Sequence, residues 1–172
     1  MAIRILKEVN RDDGRLPQSN GTNGAILSGM VLELANNGTN VQLSTSTGAT
    51  YPWGLAADSN VQQPLQGAGG LTVGVGYDYT NFDRGGLVSV FMNDGAFELY
   101  NDLGESAPNN GNPFVVAPTA PYASNVALYA QALTGLVTSD ATGNSPRIGS
   151  VISVQNAGNL TSMILQMKLA GI

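Results

Sequence analysis

Short apolar runs rich in β-branched and aromatic residues alternate along the chain with clusters of Gly, Asn, Asp and Pro. Asn-Gly pairs stand at Asn20-Gly21, Asn23-Gly24, Asn37-Gly38 and Asn110-Gly111, and Asp-Gly pairs at Asp13-Gly14 and Asp94-Gly95. These dipeptides tolerate the positive φ of tight turns, so the runs between them read as strands. The predicted strands are Ala25–Ala35, Asn40–Ser44, Gly54–Ala57, Leu71–Tyr77, Arg147–Val154 and Leu160–Leu169. Leu87–Met92 and Ala96–Tyr100 flank Asn93-Asp94-Gly95 and predict a β-hairpin, with Val90, Phe91, Phe97 and Leu99 covering one side. Ala123–Leu133 carries both a helical spacing (Val126, Ala130, Leu133) and an alternation (Val126, Leu128, Ala130), of which the alternation is preferred. Residues 1–23, with one strand-like run at Ile3–Val9 before a polar Asn- and Gly-rich stretch, read as an extended amino-terminal arm. Residues 24–172 read as a single β domain, in which 101–125, with Pro108, Pro113, Pro118 and Pro121, form a long loop. No repeat period is present. The pattern predicts an all-β barrel or sandwich.

Composition sharpens this picture. The 172 residues are 42% hydrophobic, but only 11% are charged, against about 25% in an ordinary soluble domain. The surface is therefore covered largely by Asn, Ser, Thr, Gln and Gly, which repel neighbouring copies weakly and suit a protein packed into an assembly. A net charge of −5 and only seven cations argue against nucleic acid as the main partner, because nucleic-acid binding needs a concentrated basic face. Four of those cations, Arg4, Lys7, Arg11 and Arg15, share the first fifteen residues with Glu8, Asp12 and Asp13. The arm is thus +1 and the remainder −6. The opening residues lack the apolar run of a secretory signal, and no stretch approaches the ~20 apolar residues of a membrane span, which predicts synthesis in the cytoplasm and no membrane partner.

The chain has no His and no Cys. This removes Ser-His-Asp and Cys-His catalysis, zinc sites built on His or Cys, and every disulfide. A carboxylate pair, a Ser-Lys dyad or a carboxylate metal site remain open chemically. Asp12-Asp13, Asp94, Asp102 and Asp140 sit among Gly, Asn or Ser, where turn formation explains them better than catalysis. Gly67-Ala68-Gly69-Gly70 and Gly74-Val75-Gly76 have neither the dinucleotide-binding nor the P-loop spacing. The glycosylation-like triplets at Asn20, Asn37 and Asn159 are what chance yields in so Asn-rich a chain. The expectation is a protein without catalytic machinery, cofactor or metal. Trp53, the sole Trp, has two readings: a packed core or lid residue, or an interface anchor. Arg84 in Asn81-Phe82-Asp83-Arg84 either pairs locally with Asp83 or Asp78 at a turn or stands on a contact loop.

Several segments taken in order resemble a known group. They are Gly29-Met30-Val31-Leu32-Glu33-Leu34, Trp53-Gly54-Leu55-Ala56-Ala57-Asp58, Ala127-Leu128-Tyr129-Ala130 leading to Gly135-Leu136-Val137-Thr138, Arg147-Ile148-Gly149-Ser150-Val151, and the closing run Leu160–Leu169. Together they resemble the β-tulip or β-barrel domains of tailed-bacteriophage head decoration and capsid cement proteins. The likeness runs over residues 25–170 and is one of pattern and order; the stretch Pro64–Tyr100 exceeds the compact members of that group. The resemblance implies a structural virion protein, made in the host cytoplasm, that sits on the capsid surface and ties neighbouring major capsid subunits together. Its partners would be the major capsid protein and copies of itself, a trimer being one such form. The contact residues it suggests are Ile3, Arg4, Ile5, Lys7, Val9 and Arg11 of the arm, with Trp53 and Arg84 on the body. Ile3, Ile5 and Val9 would fill alternate pockets as the arm adds a strand to a capsid-protein sheet. Two rival readings are a tail-tube or baseplate component, and a carbohydrate-binding or adhesion module with Trp53, Tyr77, Tyr79 and Tyr122 as stacking aromatics.

Overall fold

The computed structural model describes residues 3–7, 10–15, 26, 28–35, 38–44, 52–57, 88–92, 94–100, 113–144, 146–155 and 162–167. Eleven strands and no helix occur among them: β1 (Ile3–Lys7), β2 (Arg11–Arg15), β3 (Val31–Leu34), β4 (Val41–Leu43), β5 (Pro52–Ala56), β6 (Val88–Phe91), β7 (Ala96–Tyr100), β8 (Ala127–Ala130), β9 (Val137–Thr138), β10 (Gly149–Gln155) and β11 (Ser162–Met167). They form two antiparallel sheets, one ordered β1-β7-β11-β10-β8-β9 and the other β2-β6-β5-β3-β4. No strand is shared between them. The all-β expectation holds in its sandwich form; the sheets do not close into a barrel.

Burial follows the side-chain alternation. On the six-stranded sheet, Phe97, Leu99, Met163, Leu165, Leu128 and Val151 point inward and meet Val31, Leu55 and Phe91 of the other sheet. The outer face of that sheet is wetter, carrying Glu98, Tyr100, Ile164 and Gln166 between the buried positions. The five-stranded sheet has no comparable wet face. Its reverse side buries Leu32, Val41, Leu43, Ala56, Val88 and Val90 in a second core, which Ile26, Met30 and Leu136 cover. A strand buried on both faces cannot alternate apolar with polar, and β6, Val88-Ser89-Val90-Phe91, is buried at every position. Gly54 in β5 belongs to the same crowding, since a Cβ there would collide with the Phe91 carbonyl oxygen.

This double burial overturns the predicted hairpin. Both strands form where the sequence places them, but they do not pair: β6 lies between β2 and β5, and β7 between β1 and β11. Within one sheet the two strands would share the same two faces. Residues 96–100 present a partly exposed face, while 88–91 require apolar cover on both sides, so the chain crosses from one sheet to the other between them. Asp94 makes the crossing at φ 68°, and Phe91 and Phe97 stack across the core with centroids 5.6 Å apart.

Elsewhere among the described residues the predicted strands are present with shortened or shifted ends. Residues 31–34 and 41–43 form a true hairpin closed through Gly38 at φ 71°. Residues 127–130 are a strand, preceded by Asn125 in the left-handed region. The predicted strand Leu71–Tyr77 lies outside the described residues. The arm differs most from expectation. Residues 3–7 and 11–15 do not stand off the domain; each supplies an edge strand to one sheet.

The described part of the long loop, residues 113–125, is tightly held. Phe114 bridges to Val137 at the edge of the six-stranded sheet. The Asp140 carboxylate accepts the backbone N–H groups of Thr119 (3.0 Å) and Ala120 (2.8 Å). Tyr122 is buried, its hydroxyl 2.9 Å from the Val115 carbonyl and 3.0 Å from that of Val137. Burial, and then the Asp140 carboxylate, push its ionisation well above the ordinary tyrosine range. Tyr122→Phe is expected to cost about 1 to 2 kcal/mol at neutral pH, since buried carbonyls lose their donor. The folded state holds this proton more tightly than the unfolded chain, so its contribution is intact below about pH 10. It is lost as pH rises from there through the higher folded value. Urea denaturation across alkaline pH should therefore show a steeper fall for the parent than for Tyr122→Phe.

Candidate functional site

Four of the seven cations lie on the arm, and the arm follows one other segment along its whole described length. β1 runs antiparallel to β7, with Ile3 opposite Leu99, Arg4 opposite Glu98, Ile5 opposite Phe97 and Lys7 opposite Ala96. β2 runs antiparallel to β6, with Arg11 opposite Phe91 and Asp12 opposite Val90. Where the two segments cross between sheets, the Met92 N–H donates to the Asn10 carbonyl at 2.8 Å. The arm is thus a second arch laid on the arch of residues 88–100.

Side chains lock the seam at four points. Ile3 is 2% exposed and belongs to the core between the sheets. The Arg4 guanidinium pairs with the Glu98 carboxylate on the outer face; with Arg4 mostly in water this pair adds little stability. Arg11 donates from Nη2 to the Ser89 hydroxyl at 2.9 Å, and its guanidinium carbon lies 5.8 Å from the centre of the Phe91 ring, within the range of a cation–π contact. Trp53 donates from Nε1 to Asp12 Oδ2 at 3.1 Å. The half-buried indole also packs against the second core, so Trp53 links that core to the arm.

Along its other edge, β1 has no strand partner among the described residues. The register slips between Ile5 and Lys7, and the bulge leaves Ile5 and Leu6 each 44% exposed beside an exposed Lys7. An edge strand offers unpaired backbone donors and acceptors to another chain. Here it also offers two aliphatic side chains and a cation.

The structure brings Arg4, Ile5, Lys7, Arg11 and Trp53 to this seam. Ile3 differs from the expectation: instead of facing outward from an extended arm, it fills a slot in the core between the sheets. Val9 and Arg84 lie outside the described residues, as do Tyr77 and Tyr79 of the sugar-stacking set, and Tyr122 is withdrawn into the interior. Sequence reasoning missed Ser89 and Glu98 as partners of the arm, and Asp12 as the arm residue that holds Trp53, because each contact arises only through pairing across distant strands. It also passed over Glu33, which is fully buried and accepts from Gln42 Nε2 at 2.8 Å directly across the β3–β4 hairpin.

Among the described residues no group of three or more Asp or Glu could hold a metal ion, and no helix is long and apolar enough to cross a membrane. Comparison with known protein families finds no match, and comparison with curated proteins finds no relative.

The seam yields a clear expectation for stability. Ile3→Ala should cost about 2 to 4 kcal/mol in urea denaturation, the usual penalty for truncating a buried aliphatic side chain. Ile5→Ala should cost less, since much of that side chain is already in water. An arm that stood off the domain would make both substitutions nearly silent.

Proposed function

We propose that this protein is a structural virion component that binds the outside of an icosahedral bacteriophage head and cements neighbouring major capsid subunits. The observation that carries the reading is the edge of β1, where Ile5 and Leu6 are half exposed beside Lys7 on a body with few charges. The order of sequence segments resembling head decoration proteins supports it, as does the sandwich architecture, which holds that edge on a rigid support. Binding would act by mass action, stabilising whichever capsid state the protein prefers, and repetition over the head would multiply a weak single-site affinity. Strand addition along β1 suits such a contact, because main-chain pairing supplies affinity while Ile5 and Leu6 select the register.

The test is co-sedimentation of the pure protein with undecorated, expanded heads. Saturable pelleting is expected. Replacing both Ile5 and Leu6 by Asp should weaken it by roughly 30-fold, the equivalent of about 2 kcal/mol of half-exposed aliphatic surface no longer buried, with little change in the melting transition. A protein that stays in the supernatant with every head form sinks the reading.

A further inference from the structure

We infer that the arm is exchangeable between copies: residues 3–15 of one molecule can seat on residues 88–100 of a second copy of this chain, making the contacts they make at home. The topology isolates the arm. β1 pairs only with β7 and β2 only with β6, each at the edge of its sheet, so lifting the arm away breaks no ladder between other strands. The other two edge strands, β4 and β9, are each joined by a short connection to the strand they pair with, whereas the arm pairs only with strands distant in sequence. The seat, in contrast, cannot stay empty at low cost. Without the arm, the slot of Ile3 beside Leu99 opens, Phe91 and Ser89 lose Arg11, and the Trp53 indole loses Asp12. Two sheet edges also lose their partners at once, and open edges recruit strands.

What fits that seat best is another copy of the arm. It brings the same isoleucine for the slot, Arg4 for Glu98, Arg11 for Ser89 and Asp12 for Trp53. Charge points the same way, since an arm of +1 meets a remainder of −6. Exchange keeps every one of these contacts, so closed and exchanged forms differ mainly in the entropy of association, and crowding of copies shifts the balance towards exchange. The reach is sufficient. Ten residues, 16–25, join β2 to Ile26 and extend to roughly 33–36 Å, about twice the radius of gyration, near 16 Å, of a domain of this size. The inference holds whether or not the protein coats a capsid.

The absence of native cysteine makes the test clean. Two full-length variants, Arg4→Cys and Glu98→Cys, are mixed at high concentration, incubated and oxidised, with one chain carrying a mass tag. Each holds one half of a directly opposed cross-strand pair, so a mixed disulfide above the collisional background forms when the arm of one chain sits on the arch of the other. The expected result is a tagged–untagged dimer on non-reducing gels that increases with protein concentration. It should exceed the yield from Arg4→Cys mixed with Thr142→Cys, an exposed position beyond β9 at the opposite edge of the sheet. Lys7→Cys with Ala96→Cys repeats the measurement at a second opposed pair, should the first pair disturb folding. The double variant Arg4→Cys/Glu98→Cys reports the closed form as an internally crosslinked monomer. Efficient internal crosslinking, with mixed dimers no more abundant than in the control for either pair, would overturn the inference.

Discussion

Strand β6 has no polar face, and much of the architecture follows from that. Val88, Ser89 and Val90 are completely buried and Phe91 nearly so, which places apolar material on both sides of one strand. Burying a side chain such as Val or Phe contributes roughly 1.5 to 3 kcal/mol. A lone sheet with one wet face would forfeit half of that. The strand is therefore interior to its sheet, the sheet lies between two cores, and the chain must leave that sheet to build the amphipathic strand that follows. The stacked pair Phe91 and Phe97 is where the two sheets meet at the crossing between consecutive strands, β6 and β7.

The arm adapts to the same arrangement. Its second strand closes the edge beside β6 and its first closes the edge beside β7, so one segment covers both exposed ladders left by the crossing. At the far side of the six-stranded sheet the solution is different: the short strand β9 is covered by the bridge from Phe114 and by Val115, whose N–H donates to the Val137 carbonyl at 2.9 Å. The two margins of the molecule thus differ in character. One is sealed by an internal loop pinned through Tyr122 and Asp140, and the other is built from a cationic terminal segment with an aliphatic outer edge.

Strand locations were largely legible from alternation and turn residues. Phe97, Leu99, Met163 and Leu165 fall on one face because a strand has a period of two, and Gly38 and Asp94 mark turns because those residues tolerate positive φ. The seam was legible only in part. Its cations and apolar residues on the arm could be named, but Ile3 could not be told from Ile5, since both occupy the same parity of the same strand. Strand β2, Arg-Asp-Asp-Gly-Arg, carries no strand signal of its own; it is held by the ladder of β6 and by Asp12 and Arg11 reaching Trp53 and Ser89.

By itself, then, the chain determined an all-β protein with a lightly charged surface, excluded chemistry that needs His or Cys, and set most strand positions, because these depend on residue type and on periodicity over a few neighbours. Tertiary structure alone decided that residues 88–91 and 96–100 belong to different sheets, that the arm is docked, and that Trp53 is tied to it through Asp12. Those outcomes depend on which faces must be covered by segments far apart in sequence, and a local alternation shows that a face is apolar without showing what will cover it.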